Sequence, residues 1–143
     1  MDLQYELIAI SDYNKGFLSE SDIEHICSLH PNVFLDTKKK ISGWAMKAKF
    51  IKINAPEYNQ SENFILQNLT DKVIKTDGKN GAWYQHLHFP THEVEVRDVS
   101  GAGDTFFAGL CAKFLEEGDI EESIRFANLC ASKVVQKRGV CSI

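Results

Sequence analysis

The sequence predicts an α/β fold, a mostly parallel sheet with helices on both faces, and three observations predict it. Four stretches of strand length occur at 7–11, 33–35, 50–53 and 72–75. Between them lie segments whose apolar residues recur at helical spacing. Each strand runs out into a polar loop. Strand–helix–strand repetition of this kind closes as crossovers in a parallel sheet.

The elements follow in order. Leu7-Ile8-Ala9-Ile10-Ser11 has the composition of a buried parallel strand. It runs into the loop Ser11-Asp12-Tyr13-Asn14-Lys15-Gly16, and in open α/β sheets ligands bind beyond such strand ends. Ser19 or Ser21 caps a helix over 20–29, with Ile23, Ile26, Cys27 and Leu29 as its apolar side. Pro31-Asn32 ends it. Val33-Phe34-Leu35 is a second strand, followed by Asp36-Thr37-Lys38. A short helix is expected over 41–48. Phe50–Ile53 is a third strand, ending in Asn54-Ala55-Pro56-Glu57, and 57–69 reads as helix through Phe64, Ile65 and Leu69. Lys72–Lys75 is a fourth strand, ending in Thr76-Asp77-Gly78-Lys79-Asn80-Gly81.

Residues 82–89 and 92–96 alternate apolar and polar, the pattern of antiparallel strands joined at Pro90-Thr91. Two helices close the chain, over 103–117 and 120–137. Gly118 stops the first, and Asp119 with Glu122 reads as a capping box opening the second. Ile124, Ala127, Ala131, Val134 and Val135 form the inward face of that last helix.

At 143 residues the chain is one domain, 1–143. Its 43% apolar and 25% charged content is ordinary for a globular protein. A net charge of −4 with no basic stripe argues against nucleic acid as a partner. Lys38-Lys39-Lys40 is the one basic run and reads as a solvated turn. No apolar run approaches the roughly 20 residues of a membrane span, and the start lacks the features of a signal peptide. Cys27, Cys111, Cys130 and Cys141 are scattered with no Cys-x-x-Cys pair, which points to reduced thiols and a cytoplasmic setting.

Chemistry concentrates in Gly101-Ala102-Gly103-Asp104, where a loop becomes a helix with an apolar stripe of Phe106, Phe107, Leu110, Phe114 and Leu115. Small residues there leave the first helical N–H groups bare at the positive end of the helix dipole, a site for an anion such as phosphate. A carboxylate beside an anion site repels the ligand unless it has a task, and taking a proton from an attacking hydroxyl is such a task. The bland alternative is a tight turn followed by an acidic first-turn residue.

Asn54-x-x-Glu57 offers an amide oxygen and a carboxylate one helical turn apart, which suits a magnesium ion that keeps several waters. A plain helix start with Pro56 in the first turn is the competing reading. Thr76-x-Gly78-x-x-Gly81 lets the backbone pass close to a ligand, although Asn80-Gly81 is also a strong hairpin signal. His86 and His88 fall on one face of an alternating strand, with His92 on the next. No convincing third zinc ligand joins them, so they read as solvated. There is neither a P-loop nor a Gly-x-Gly-x-x-Gly at the first strand.

Asp98-Val99-Ser100-Gly101-Ala102-Gly103-Asp104 closely resembles the second signature of the ribokinase-like (PfkB) carbohydrate kinases, Asp-Thr-x-Gly-Ala-Gly-Asp, with Val99 where threonine is commoner. The Asn-x-x-Glu and Thr-x-Gly-x-x-Gly stretches occur in that family in the same order. The resemblance implies a three-layer ribokinase-like fold and ATP-dependent phosphoryl transfer to a sugar or sugar phosphate. It implies Asp104 as catalytic base and the amides of Gly101, Ala102 and Gly103 as the anion hole. Asn54 and Glu57 would serve magnesium and phosphate. Thr76 and Gly78 would line the nucleotide, and Asn128, where the family often has Ala-His or Ala-Asn, would lie near adenine; an exposed helix asparagine is the plain alternative.

Asp12-Tyr13-Asn14-Lys15-Gly16 and Asp36-Thr37-Lys38 resemble a narrower branch, the kinase half of the bifunctional enzyme that makes ADP-heptose. That branch has Asp-Tyr-Gly-Lys-Gly and Asp-Pro-Lys, so Asn14 and Thr37 depart from it. On that likeness Asp12 and Lys15 lie on the substrate side, and Lys38 offsets phosphate charge. Family members carry a first half with a sugar-binding lid, and nothing in residues 1–11 resembles it. The expectation is a C-terminal, nucleotide-binding portion whose exposed sheet edge is covered by a second copy or a partner chain. A non-catalytic nucleotide-binding remnant is the alternative.

Overall fold

The computed structural model describes residues 7–12, 16–91 and 102–137. Lys15, Gly101, the Asp98–Ser100 loop and the expected strand 92–96 lie outside the described residues, as do the side chains of Ala102, Val134 and Val135. The chain divides into two compact units, Met1–Thr76 with Tyr84–His86, and Asp77–Trp83 with Leu87–Ile143.

The first unit is a parallel α/β layer. Its strands are β1 (Ile8–Asp12), β2 (Val33–Thr37), β3 (Phe50–Asn54) and β4 (Val73–Thr76). Each pairs in parallel with the next, with Ile8 opposite Val33, Phe34 opposite Phe50 and Ile51 opposite Val73. Side chains alternate across a strand, so Ile10, Val33, Leu35, Ile51, Ile53 and Val73 share one face. They form a buried core there with Ile23 and Cys27 of α1 (Glu20–Leu29) and Ile65 of α3 (Glu62–Asn68). Each such side chain withdrawn from water contributes roughly 1.5–3 kcal/mol. The opposite face carries Phe34, Phe50 and Tyr84, whose rings meet edge to face at 5.2 and 6.0 Å.

Helix α1 has the bounds its sequence predicts. Ser19 accepts from the Asp22 N–H and the Asp22 carboxylate accepts from the Ser19 N–H, a reciprocal capping box. Leu29, counted as core from its spacing, is 70% exposed because the helix ends there and turns it outward. Residues 41–48 hold only a turn of 3-10 helix at Gly43–Ala45. The helix expected at 57–69 starts earlier and is two helices, α2 (Ala55–Gln60) and α3. The break falls at Ser61, whose buried hydroxyl accepts the Ile41 N–H at 2.8 Å. That tertiary bond holds Ser61 out of helical geometry.

The second unit contains β5 (Ala82–Tyr84, its last residue grouped with the first unit), β6 (Leu87–Phe89), α4 (Ala102–Glu117) and α5 (Ile120–Lys137). The sequence reads 82–89 as one strand. The structure folds it back at Gln85-His86, with Gln85 at φ 57°. No glycine or asparagine marks that turn, and the alternation continues through it, so the pattern hides the bend. His86 therefore sits in a turn rather than beside His88 on a strand face.

Helices α4 and α5 pack on each other, with Gly109 of α4 close against Ala127 and Cys130 of α5, and Phe106, Phe107, Leu110, Ile124 and Ala127 are buried. Leu115, assigned to the buried stripe, is 45% exposed. Gly118 ends α4 at φ +71°. The Asp119 carboxylate caps α5 by accepting from the Glu121 and Glu122 N–H groups, while Glu122 engages Arg125. No described helix is long and apolar enough to cross a membrane, and Cys27, Cys111 and Cys130 are free thiols.

Candidate functional site

Parallel strands end together, so their last residues form a row. In the first unit that row is polar, and opposite residues bond to each other. Asp12 is opposite Thr37, and the Thr37 hydroxyl donates to the Asp12 carboxylate at 2.9 Å. Asp36 is opposite Lys52, and the Lys52 ammonium lies 3.4 Å from the Asp36 carboxylate. Asn54 is opposite Thr76, and the Thr76 hydroxyl donates to Asn54 Oδ1 at 2.8 Å.

Two lysines complete this row that sequence reasoning missed. The run Lys38-Lys39-Lys40 predicts a solvated turn. Instead Lys39 is 8% exposed, and its Nζ lies 3.0 Å from Asp12 Oδ2. The Lys39 N–H donates to the Thr37 hydroxyl, so Asp12, Thr37 and Lys39 form one buried polar cluster. Asp12, expected on the substrate side, has its carboxylate committed to this cluster. Lys52 is 2% exposed in the middle of β3. Its signal was in the sequence: a lysine inside Phe-Ile-Lys-Ile is a charge where both faces are buried, and such a charge needs a partner.

Glu57 in the first turn of α2 accepts from Lys38 at 3.1 Å. Asn54 precedes that helix but does not cap it with its side chain, which is turned to Thr76 instead. The structure thus gathers Asn54, Glu57, Lys38 and Thr76 at the ends of β2, β3 and β4. The oxygens suit a hard cation. Asn54 Oδ1 keeps a second lone pair, and Glu57 keeps a second oxygen. Magnesium takes one or two such protein ligands and retains water. Among the described residues, which do not include His92, no group of three His, Cys, Asp or Glu side chains is placed to hold a metal ion.

In the second unit Asp104 stands in the first turn of α4 and is exposed. Gly103 lies beside it, and Ala102 opens the helix. The loop carrying Gly78 is a closed turn. The Asn80 N–H donates to the Asp77 carbonyl, the Gly81 N–H to the Gly78 carbonyl, and the Asp77 N–H to the Gly81 carbonyl. Gly78 and Gly81 both have positive φ, +46° and +90°. Asn128 is not an exposed helix residue. It is 6% exposed, and its Nδ2 donates to the Phe89 carbonyl at 2.7 Å.

Comparison with known proteins gives a family. Residues 19–143 match the pfkB family carbohydrate kinase model. Curated relatives include the bifunctional protein HldE of Nitratiruptor sp., 30% identical over 97% of this chain and 34% of that one. HldE of Rhodopseudomonas palustris strain BisA53 is 44% identical over 96% of this chain and 33% of its own. These are of the branch that the Asp12 and Asp36 loops resemble. Among solved structures, ribokinase from Thermotoga maritima superposes with a TM-score of 0.72 at 19% identity, over 92% of this chain and 51% of that one. Aminoimidazole riboside kinase from Salmonella enterica gives 0.69 at 22% identity, over 92% and 56%. These likenesses show a ribokinase-like α/β fold. The chain spans about a third of the length of the curated relatives and about half of the solved chains.

Proposed function

The chain belongs to the pfkB family of carbohydrate kinases, and from that premise we propose that it serves ATP-dependent phosphoryl transfer to a hydroxyl of a sugar or sugar phosphate, as the nucleotide-binding and catalytic portion of such a kinase. The observation that carries this reading is the polar row at the carboxyl ends of β2, β3 and β4, where Thr76 bonds to Asn54 and Lys38 to Glu57. Ligands of open α/β sheets bind at that end.

The roles follow from the chemistry of each group. Asp104 takes the proton of the attacking hydroxyl as its oxygen bonds to the γ-phosphorus and the bond to the bridging oxygen of ADP breaks. The amides of Gly101, Ala102 and Gly103 at the start of α4 receive the charge on the transferred group. Asn54 and Glu57 hold magnesium, which when bound neutralises charge on the phosphates. Lys38, paired with Glu57 and 45% exposed at its side chain, adds a positive charge that offsets that of the phosphates. Thr76 and Gly78 line the nucleotide, and Asn128 supports that region through Phe89. Lys15 and Asp12 belong to the sugar side, Asp12 as an anchor.

Calorimetry with Mg·ATP, followed by a kinase assay over sugars and sugar phosphates, tests this. Heptose phosphates come first in the panel, because the relatives are HldE proteins and the loop motifs resemble the heptose-phosphate kinase branch. Saturable binding with turnover is the expected result for the chain together with whatever supplies the sugar side. Absence of Mg·ATP binding would overturn the reading.

A further inference from the structure

The sequence predicts His88 as a solvated strand residue, and its surroundings in the second unit are different. Its ring stacks on Trp83 of β5, with centroids 4.4 Å apart and planes within 12°. Its Nε2 lies 2.7 Å from the carbonyl oxygen of Asn80. A carbonyl only accepts, so Nε2 carries the proton and donates. The tautomer is therefore set by the loop, and the stack on Trp83 sets the ring plane.

The next residue of β6 holds the same loop by shape. A Cβ on Gly81 would stand 2.2 Å from the Phe89 carbonyl oxygen and 2.9 Å from Pro90 Cα. The Gly81 backbone thus lies directly against Phe89. That Phe89 carbonyl is the one Asn128 of α5 donates to, and the Arg125 guanidinium lies 5.4 Å over the Phe89 ring. The Asp77–Gly81 loop is closed by its own backbone bonds and by the Asn80 amide donating to the Asp77 carboxylate. The His88 bond and the Gly81 fit tie it to β6.

We propose that His88 is a positioning residue for the nucleotide loop, holding the Asn80 carbonyl, with Trp83 as its platform. This rests on the reading of Thr76 and Gly78 as nucleotide-binding. A loop held in its binding conformation spares the nucleotide the cost of ordering it. Loosening it weakens Mg·ATP binding while leaving the chemical step alone, because the bond His88 makes is to the Asn80 carbonyl and not to a group assigned to the chemistry.

The test uses His88→Ala, His88→Gln and Trp83→Leu in the whole chain, with two readouts: Mg·ATP affinity by calorimetry, and amide hydrogen exchange at Asn80 and Gly81 without nucleotide. Loss of one hydrogen bond of ordinary strength corresponds to about three- to tenfold weaker binding. His88→Ala is expected to weaken Mg·ATP by that factor, raise KM with kcat within about twofold, and speed exchange at both amides. His88→Gln keeps a donor and is expected to restore both readouts, while Trp83→Leu behaves like the alanine variant. Unchanged affinity in His88→Ala, with the wild type binding normally, would overturn the assignment. If the wild type binds no Mg·ATP, the nucleotide reading falls. Exchange then decides the clamp alone: faster exchange in His88→Ala upholds it, and unchanged exchange overturns it.

Discussion

The ammonium of Lys39 lies 3.0 Å from the carboxylate of Asp12, and the two side chains are 9% and 4% exposed. Removing one partner strands the other charge in the protein, which costs about 3–5 kcal/mol. Asp12→Asn and Lys39→Met are each expected to lower stability by that order in urea unfolding. The double variant Asp12→Leu with Lys39→Met is expected to recover most of the loss, because no charge is then left buried. Additive losses in the double variant would mean that the pair is not the source of the effect.

The Thr76 hydroxyl and Asn54 Oδ1, 2.8 Å apart, join the ends of β4 and β3. Thr76→Val keeps the shape and removes the donor, so Asn54 is free to turn away. A stability loss of about 1 kcal/mol is expected, with Mg·ATP binding weakened more than nucleotide binding measured without magnesium. Thr76→Ser keeps the hydroxyl and is expected to retain both. Calorimetry with and without magnesium separates these outcomes.

Much of the fold was legible because it is local. The bounds of α1 and α5 follow from caps and periodicity, and β1 to β4 follow from short apolar runs between polar loops. What was hidden depends on distant partners. Lys39 reads as solvated beside two other lysines, and its burial depends on Asp12, 27 residues earlier. The break at Ser61 depends on Ile41, and Asn128 turns to Phe89, 39 residues before it. The motif residues Asn54, Glu57 and Thr76 were named from the sequence; that Asn54 and Thr76 bond as register partners was not.

Gly81 and Gly118 both have positive φ, but only Gly81 has a neighbour in the way. Gly118→Ala is expected to cost about 1–2 kcal/mol, the conformational penalty alone. Gly81→Ala adds a clash with the Phe89 carbonyl, and moving that oxygen also disturbs its bond from Asn128. A clearly larger drop in thermal stability is expected for Gly81→Ala than for Gly118→Ala. Equal drops would show that β6 yields without cost.

The Asp22 carboxyl is held below its ordinary value, first by the Ser19 N–H and then by the Ser19 hydroxyl. A lowered pKa in the folded state means that the charged form contributes to stability. That contribution is present above the ordinary aspartate value and is lost as pH falls through the lower folded one. The start of α1 is therefore expected to loosen only in strong acid. Ser19→Ala removes the hydroxyl but keeps the N–H, so it is expected to move the Asp22 titration only part of the way back up, followed by NMR, and to cost about 1 kcal/mol as a lost cap.

Asp104 stands in the first turn of α4, the helix start proposed to hold the transferred phosphoryl group. As a base it matters only while a proton is being moved. Asp104→Asn keeps the size and hydrogen-bonding reach of the side chain but cannot accept that proton. Turnover is expected to fall by about 10²–10⁴-fold. Mg·ATP affinity is expected to hold or tighten slightly, since a negative charge near the phosphates has been removed. A kinase assay paired with calorimetry on the same preparation reads both quantities. Normal turnover would sink the base assignment. Lost nucleotide binding would show that Asp104 supports the loop before α4 rather than the chemistry.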